Sequence, residues 1–296
     1  MKNRFASGLV LAIFGSIAFS GKAIIVKLAY RYGVDAVTLI MYRMLFALPI
    51  FAVMAWWASR GKEALTRKDW LGVLGLGFTG YYLASYLDFA GLAYISAALE
   101  RLILYLNPTL VLLLGWLLYK KKMSSKQIGA MALSYAGILL VFGHELKFDG
   151  LTSSNTVLGA VLVFGSAVSY AIYLSYSGEM VKRLGSLRLV GLATTVACLL
   201  CIAQFAVLRP LSAMVVAPQV LWLSLLNATL CTALPVLAVM MAIERIGAPL
   251  AAQAGMIGPM STILMGVFIL GEPLNAWIIA GTVLVLSGVY WVSRKD

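Results

Sequence analysis

Residues 95–122 read ISAALERLILYLNPTLVLLLGWLLYKKK. This segment is long and apolar enough to cross a lipid bilayer as a helix, since about 20 apolar residues span the hydrocarbon core. It nevertheless carries a charged pair, Glu100 and Arg101, followed by Asn107 and Pro108. Charged side chains inside a membrane are costly and are kept where they face protein or water, and proline interrupts helical hydrogen bonding. The segment therefore predicts a membrane helix with a polar face turned toward a protein interior.

The remainder of the chain is equally apolar. Of its 296 residues 62% are hydrophobic and 11% are charged, and the mean hydropathy is +0.96. A soluble domain carries about 25% charged residues, so this composition predicts an all-α integral membrane protein. Apolar runs of about 20 residues predict ten transmembrane helices. They lie near 8–29, 35–57, 70–91, 96–118, 125–143, 157–179, 187–208, 218–241, 248–270 and 274–292.

The distribution of basic residues predicts the orientation of the chain. With the N-terminus inside, the inner segments hold 16 of the 23 Lys and Arg residues, whereas the outer connections hold only Arg31, Lys147 and Arg209. Basic residues concentrate in cytoplasmic loops, so both termini are predicted to be cytoplasmic. The same distribution accounts for most of the net charge of +12, so we expect no nucleic-acid partner.

The second half of the sequence repeats the first at a constant offset. Positions 151 residues apart are identical at Pro108 and Pro259, and the same offset relates two glycine pairs, Gly115 with Gly266 and Gly137 with Gly288. Each half contains five predicted spans, an odd number, so the two copies cross the membrane in opposite directions. We therefore expect two inverted five-helix repeats, residues 1–146 and 147–296. Inverted repeats form a central site at their interface and permit alternating access, which favours a transporter.

Sequence motifs for an enzyme or a cofactor site are weak. Residues 75–80 read GLGFTG, which matches a dinucleotide-binding pattern formally but lies inside the third predicted span, without the required strand. Its glycines are interpreted as permitting close packing of helices or leaving room in a cavity. We find no nucleophile, base or metal-ligand set, so we predict no catalytic residues, no metal and no cofactor.

Five charged residues form a predicted cluster in the outer half of the membrane: Lys22, Arg43, Asp88, Glu100 and Arg101. One interpretation is a set of ion pairs that holds spans 1 to 4 together. The alternative is an outer gate or a site for a substrate carboxylate. The second repeat has alanine at the positions equivalent to Glu100 and Arg101, so the cluster is specific to one half.

Tyrosines near the middle of the spans predict a substrate-binding wall. A phenol in that position needs a polar partner or water, whereas interfacial tyrosines lie at span ends. The alternative role is hydrogen bonding between helices. The predicted substrate-binding residues are Tyr81, Tyr82, Tyr86, Tyr105, Asn107 and Tyr170.

Three prolines predict breaks in the helices. Pro108 and Pro259 would each leave a carbonyl group, of Leu104 and Gly255, without its helical hydrogen bond, and Pro235 adds a third kink. Such carbonyls are tolerated in a membrane where they face protein or a wet cavity. We therefore predict that these prolines act as hinges.

Taken together, these features resemble the EamA-type members of the drug/metabolite transporter superfamily. The resemblance covers the whole chain: Lys27 ends span one, Arg43 lies in span two, ISAALE and IGAPLA open spans four and nine, and Gly271–Glu272 follows span nine. The family implies a basket of helices around a cavity lined mainly by spans 1, 3, 4, 6, 8 and 9. It also implies a homodimer through spans 5 and 10. Within the superfamily the chain is most similar to bacterial inner-membrane exporters of amino acids, including aromatic ones.

Our leading hypothesis is therefore an inner-membrane exporter of amino acids or related small metabolites. A second hypothesis keeps the mechanism but changes the cargo to drugs, cations or sugar-linked metabolites. A membrane-embedded enzyme or a channel is a third and remote alternative.

Overall fold

The computed structural model describes residues 2–120, 123–148, 153–246, 254 and 257–293. All the regular secondary structure of these residues is helical, as the composition predicted. The α-helices are α1 (Lys2–Tyr30), α2 (Ala36–Ser59), α3 (Arg67–Leu76), α4 (Ala84–Leu92), α5 (Ala97–Leu104), α6 (Asn107–Tyr119), α7 (Ser125–Phe148), α8 (Ser153–Leu184), α9 (Ser186–Leu208), α10 (Pro218–Ala228), α11 (Leu234–Ile246), α12 (Gly258–Met265) and α13 (Ala276–Ser293). Turns of π-helix join α3 to α4 at Gly77–Leu83 and α10 to α11 at Thr229–Ala233, and another, Gly266–Leu270, extends α12.

The helices are suited to a membrane. Seven helical stretches within the described residues are long and apolar enough to cross a bilayer, two of them, Ala97–Leu117 and Pro218–Val239, made of consecutive helical segments. The shorter apolar helices Gly258–Leu270 and Ala276–Trp291 accompany them. Each of the ten predicted spans overlaps a helix, although the beginning of the ninth lies largely outside the described residues. The multi-pass membrane class is thus supported, and the ten-span count stays a prediction.

Polar side chains cap the N-terminal ends of α2 and α3. Asp35 accepts hydrogen bonds from the backbone N–H groups of Val37 and Thr38 at the start of α2. Thr66 and Asp69 form a reciprocal capping box at the start of α3. Each satisfies backbone donors that have no partner inside the helix. These caps fix the points at which the chain enters the bundle.

The helix is interrupted before Pro108 and begins again at Gly258, next to Pro259, whereas around Pro235 it continues directly from the π-helical turn into α11, so the kink there stays a prediction. Pro108, Pro235 and Pro259 are each the second residue of a new α-helical segment, where a missing backbone N–H costs little. At Pro108 the chain leaves α5 at Leu104 and enters α6 at Asn107. The corresponding carbonyl for Pro259 belongs to Gly255, which lies outside the described residues. Movement about these breaks remains a prediction.

Two close contacts between α7 and α13 mirror each other. A methyl group added to Gly137 would lie 2.7 Å from the carbonyl oxygen of Gly281, and one added to Gly288 would lie 2.6 Å from that of Ala130. With the offset of 151, Gly288 is the position equivalent to Gly137, and Gly281 is the position equivalent to Ala130. The same contact is therefore made twice, with the two helices exchanging roles. The outward faces of this helix pair expose apolar side chains such as Leu139 and Val283, and the predicted homodimer contact through these helices remains a prediction.

Candidate functional site

A cavity of about 560 Å³ lies between the two halves of the bundle. Its lining includes Lys22 and Asp88 toward the predicted outer side. On the opposite side it includes Val181, near the end of α8, and Ser186, at the start of α9. Helices from both predicted repeats contribute to the wall. The cavity thus extends from the charged cluster toward the face that carries most of the basic residues.

One wall of the cavity is a group of three tyrosines. The hydroxyl groups of Tyr81 and Tyr173 lie 3.2 Å apart, and the ring centroids of Tyr170 and Tyr173 lie 5.4 Å apart. Gly80 makes this arrangement possible, because a methyl group at that position would lie 2.4 Å from the ring of Tyr173. Gly80 and Gly77 of the GLGFTG motif thus permit close packing, whereas a methyl group at Gly75 would meet nothing within 4 Å. The tyrosine wall offers flat apolar faces with hydroxyl groups.

The other predicted binding residues divide into two groups. Tyr105 and Asn107 line the cavity, and the side-chain oxygen of Asn107 is buried without a hydrogen-bond partner. Tyr82 and Tyr86 are not among the described residues that line the cavity, and they pack against the core formed by α2 and its neighbours. Tyr82 also contacts the ring of Phe78, with the ring centroids 5.4 Å apart.

Three of the predicted charged residues form one buried group. The ammonium of Lys22 contacts the carboxylate of Asp88 and lies 3.6 Å from an oxygen of Glu100. Glu100 is fully buried, so it faces protein rather than lipid. This group joins α1, α4 and α5, and two carboxylates share one cation.

The two predicted arginines find neutral partners in the second half. Arg43 donates from Nε to the hydroxyl of Thr232 at 3.2 Å, and Arg101 donates in the same way to Thr262 at 2.9 Å. Arg101 also donates to the carbonyl of Phe19. Both arginines line the cavity, and the Nη1 group of Arg43 is buried without a hydrogen-bond partner. Among the described residues neither guanidinium is paired with a carboxylate, so the end of the cavity on the predicted outer side is cationic.

A second set of contacts ties the halves together on the same side. Glu272 accepts a hydrogen bond from the backbone N–H of Ala97 at 2.9 Å and lies 3.4 Å from the ammonium of Lys27. Lys27 donates to the carbonyl of Ile95 as well. Glu272 follows Gly271, whose positive φ of 74° turns the chain back after the π-helical segment. We refer to Lys27, Ala97 and Glu272 as the outer latch.

Sequence reasoning missed the partners contributed by the second half. Thr232 and Thr262 bind the two arginines, yet threonine is common in membrane helices and nothing near either residue in the sequence marks it. Tyr173 was not among the predicted binding residues. Its spacing of three from Tyr170 on a helix is the signal that could have identified it.

A family model for the EamA-like transporter family matches the chain twice, at residues 6–143 and at residues 157–294. The two matched ranges start 151 residues apart, which is the offset of the sequence repeat.

Relatives with similar sequences carry transporter names. An uncharacterized transporter, YcbK, of Bacillus subtilis is 29% identical over 97% of this chain and 91% of its own length. An uncharacterized transporter of Archaeoglobus fulgidus is 23% identical over 95% of both chains. A crystal structure of another protein superposes with a TM-score of 0.63 at 17% identity, covering 97% of this chain and 96% of the other, which shows similarity of fold. None of these names specifies a substrate.

Proposed function

Because this chain belongs to the EamA-like transporter family, we propose that it exports amino acids or related small metabolites by alternating access around the central cavity. The observation that carries the proposal is the composition of that cavity. A cationic end lies at one side of a tyrosine-lined space of about 560 Å³, a volume suited to one small molecule.

The cationic end provides a site for a carboxylate. Lys22 is already shared by Asp88 and Glu100, whereas Arg43 and Arg101 have only neutral described partners. A buried guanidinium with an unused N–H group binds a carboxylate through a charge-assisted hydrogen bond. Arg43 is therefore the residue to which we assign the substrate carboxylate.

The remaining polar and aromatic groups fit the rest of an amino acid. The unpartnered oxygen of Asn107 can accept a hydrogen bond from an ammonium group. Tyr81, Tyr170 and Tyr173 provide flat faces against which an apolar or aromatic side chain can pack. This wall tolerates side chains of different shapes, which favours a range of related substrates.

Alternating access is supported by the pattern of contacts between the halves. The mirrored contacts of α7 and α13 and the double match of the family model support an inverted repeat, in which one half rocks against the other. The outer latch and the arginine–threonine bonds hold the outer side together in this structure. Export requires these contacts to separate so that the cavity reaches the outer side.

Uptake by liposomes that contain the purified protein tests the proposal. We expect labelled amino acids to enter above empty controls, and the corresponding amines, which lack the carboxylate, to compete poorly. Arg43→Gln should lower the affinity for amino acids about tenfold or more, since hydrogen bonds to charged groups contribute about 1.5–3 kcal/mol. Arg209→Gln, which removes an exposed arginine outside the cavity lining, is the matched control.

Two outcomes would contradict the proposal. Absence of uptake for every amino acid, with folded protein verified by thermal unfolding, would exclude the cargo. Equal competition by amino acids and by their amines would exclude the carboxylate site. A compound panel that also contains drugs, cations and sugar-linked metabolites separates our hypothesis from the alternative cargo.

A further inference from the structure

A second cavity, of about 680 Å³, lies at the predicted cytoplasmic face. It is formed by the segment that joins α2 to α3 and by the turn that joins α8 to α9. Two acidic residues, Glu63 and Asp69, line it together with five basic residues, Arg60, Lys62, Lys182, Arg183 and Arg188. The cavity therefore has a net positive charge, and the transport mechanism above does not use it.

One of the two carboxylates, that of Asp69, is already paired with a basic residue. Asp69 accepts hydrogen bonds from the hydroxyl and the backbone N–H of Thr66 and lies 3.0 Å from a nitrogen of Arg183. The hydrogen bonds from Thr66, aided by Arg183 and Arg188, lower the pKa of Asp69, so it is ionised at neutral pH and paired with Arg183. Four basic residues remain against Glu63 alone.

Arg188 is the buried member of the group. Its relative exposure is 8%, and it donates to the hydroxyl of Ser59 at 3.1 Å and to the backbone carbonyl of Glu63 at 2.9 Å. Neither of these partners carries a charge. A guanidinium held at a cavity wall by neutral acceptors keeps its charge available to an anion.

Ser59 and Arg188 lie at one end of the helix pair α2 and α9, and at the other end of this pair an arginine is paired with a carboxylate. There Asp35 precedes the first residue of α2 and Arg209 follows the last residue of α9, and a carboxylate oxygen of Asp35 lies 3.1 Å from a nitrogen of Arg209. At the cytoplasmic end, Arg188 meets Ser59 where Arg209 meets an acid. The cavity lies at the end where the arginine of α9 is bound by neutral groups and not by a carboxylate.

Two further features of the cavity also favour an anion. The helix α9, 23 residues long, begins here after Gly185, with no side chain accepting from its first N–H groups. Its N-terminal end is electropositive and offers hydrogen-bond donors. Trp57 lines the cavity and is 63% exposed, and neighbouring Trp56 stacks with the guanidinium of Arg60 at 3.6 Å. Exposed tryptophans at a helix end mark the depth of lipid headgroups.

We propose that this basic cavity binds the phosphate group of an anionic phospholipid from the cytoplasmic leaflet. A phosphate shared among Lys62, Lys182 and Arg188 would link the two connecting segments, one from each predicted repeat. The site adjoins the transport cavity, because Ser186 lines both. Basic pockets of this kind on the cytoplasmic side of membrane proteins recognise anionic headgroups.

Native mass spectrometry of the full chain in detergent, titrated with phosphatidylglycerol or with phosphatidylcholine of the same acyl chains, tests the proposal. The wild type should bind one phosphatidylglycerol in preference to phosphatidylcholine. The double variant Lys62→Gln/Lys182→Gln removes two exposed lysines and should bind phosphatidylglycerol about 30-fold more weakly, because each basic residue contributes about a fivefold factor. Inorganic phosphate at millimolar concentration should not displace the lipid.

The matched control is Arg67→Gln/Lys68→Gln, which removes two exposed charges from the start of α3, next to the connecting segment, at residues outside the cavity lining. It should change phosphatidylglycerol binding less than about threefold, the effect of general surface charge. The proposal is overturned if the two lipids bind equally or if the control variant loses as much affinity as the lysine variant. Complete displacement by inorganic phosphate would also overturn it, because the site would then belong to a soluble anion.

Discussion

Replacing Lys22 with methionine should destabilise the protein strongly. The lysine side chain is 8% exposed and is the only described cation paired with Asp88 and Glu100, whose side chains are 2% and 0% exposed. Lys22→Met keeps a similar side-chain volume and removes the charge. Two buried carboxylates would then face each other without their cation.

The magnitude follows from that burial. Removing one partner of a buried ion pair costs about 3–5 kcal/mol, because the remaining charge is left without compensation. We therefore expect Lys22→Met to lower the apparent melting temperature by roughly 10 °C. The triple variant Lys22→Met/Asp88→Asn/Glu100→Gln has no charge in this group and should recover more than half of the loss, since a buried pair replaced as a whole costs little.

The matched control is Lys27→Met, on the same helix five residues later. The Lys27 side chain is 26% exposed and its partner Glu272 is 14% exposed, with 3.4 Å between the nitrogen and the oxygen. A partly exposed pair contributes about 1 kcal/mol or less. Thermal unfolding of both variants in the same detergent provides the comparison. An equal loss for the two lysines, or no recovery in the triple variant, would refute the reasoning from burial.

Two other substitutions test the packing and the outer surface. Gly80→Ala should cost about 1–3 kcal/mol in the free energy of unfolding, because its methyl group would lie 2.4 Å from the Tyr173 ring, whereas Gly75→Ala meets nothing within 4 Å and should be tolerated. Equal thermal stability of the two variants would argue against this close contact. At the outer surface, burial tends to raise the pKa of Asp35, but hydrogen bonds from Thr38 and Arg209 outweigh it and leave the pKa below its usual value near 3.8. The ionised Asp35 therefore stabilises the folded protein fully above its unfolded-state pKa near 3.8, and this contribution is lost as the pH falls through the lower pKa of the folded state. The small stability difference between wild type and Asp35→Asn should vanish below that folded-state pKa. A difference that persists at lower pH, measured by thermal unfolding, would contradict this sign.

The broad architecture was predictable because it depends on composition and on local rules. Apolar content predicted the membrane class, and the missing N–H groups of Pro108 and Pro259 predicted interruptions of the helix, whereas Pro49 lies inside the continuous helix α2. The burial of Glu100 was also expected, since a carboxylate in lipid is more costly than one that faces protein.

The depth of the tyrosines within their spans did not indicate which of them line the cavity. Tyr81, Tyr82 and Tyr86 all pack against the core around α2, but of the three only Tyr81 also lines the cavity. The π-helical turn over Gly77–Leu83 adds a residue to the helical turn and changes which side each residue faces. Such a turn depends on tertiary packing and has no clear signal in the sequence.

The threonines that bind the arginines were unpredictable for a different reason. Thr232 lies 189 residues from Arg43, and Thr262 lies 161 residues from Arg101. Contacts of this separation arise only when the two halves are assembled. The sequence marks the charged residue, whose burial is costly, but leaves its neutral acceptor indistinguishable from any other threonine.

The mirrored contact between α7 and α13 has a consequence for the size of the folding unit. Each half presents one glycine and one carbonyl, and the contact is complete only when a second half presents the same pair from the opposite direction. A fragment of residues 1–146 would carry every group needed for this contact but could use them only with a sister fragment inserted upside down in the bilayer. Joining the halves in one polypeptide fixes a one-to-one ratio and, for the predicted inverted repeat, the antiparallel insertion. It thereby frees each half to acquire residues, such as Glu100 and Arg101, that its counterpart does not share.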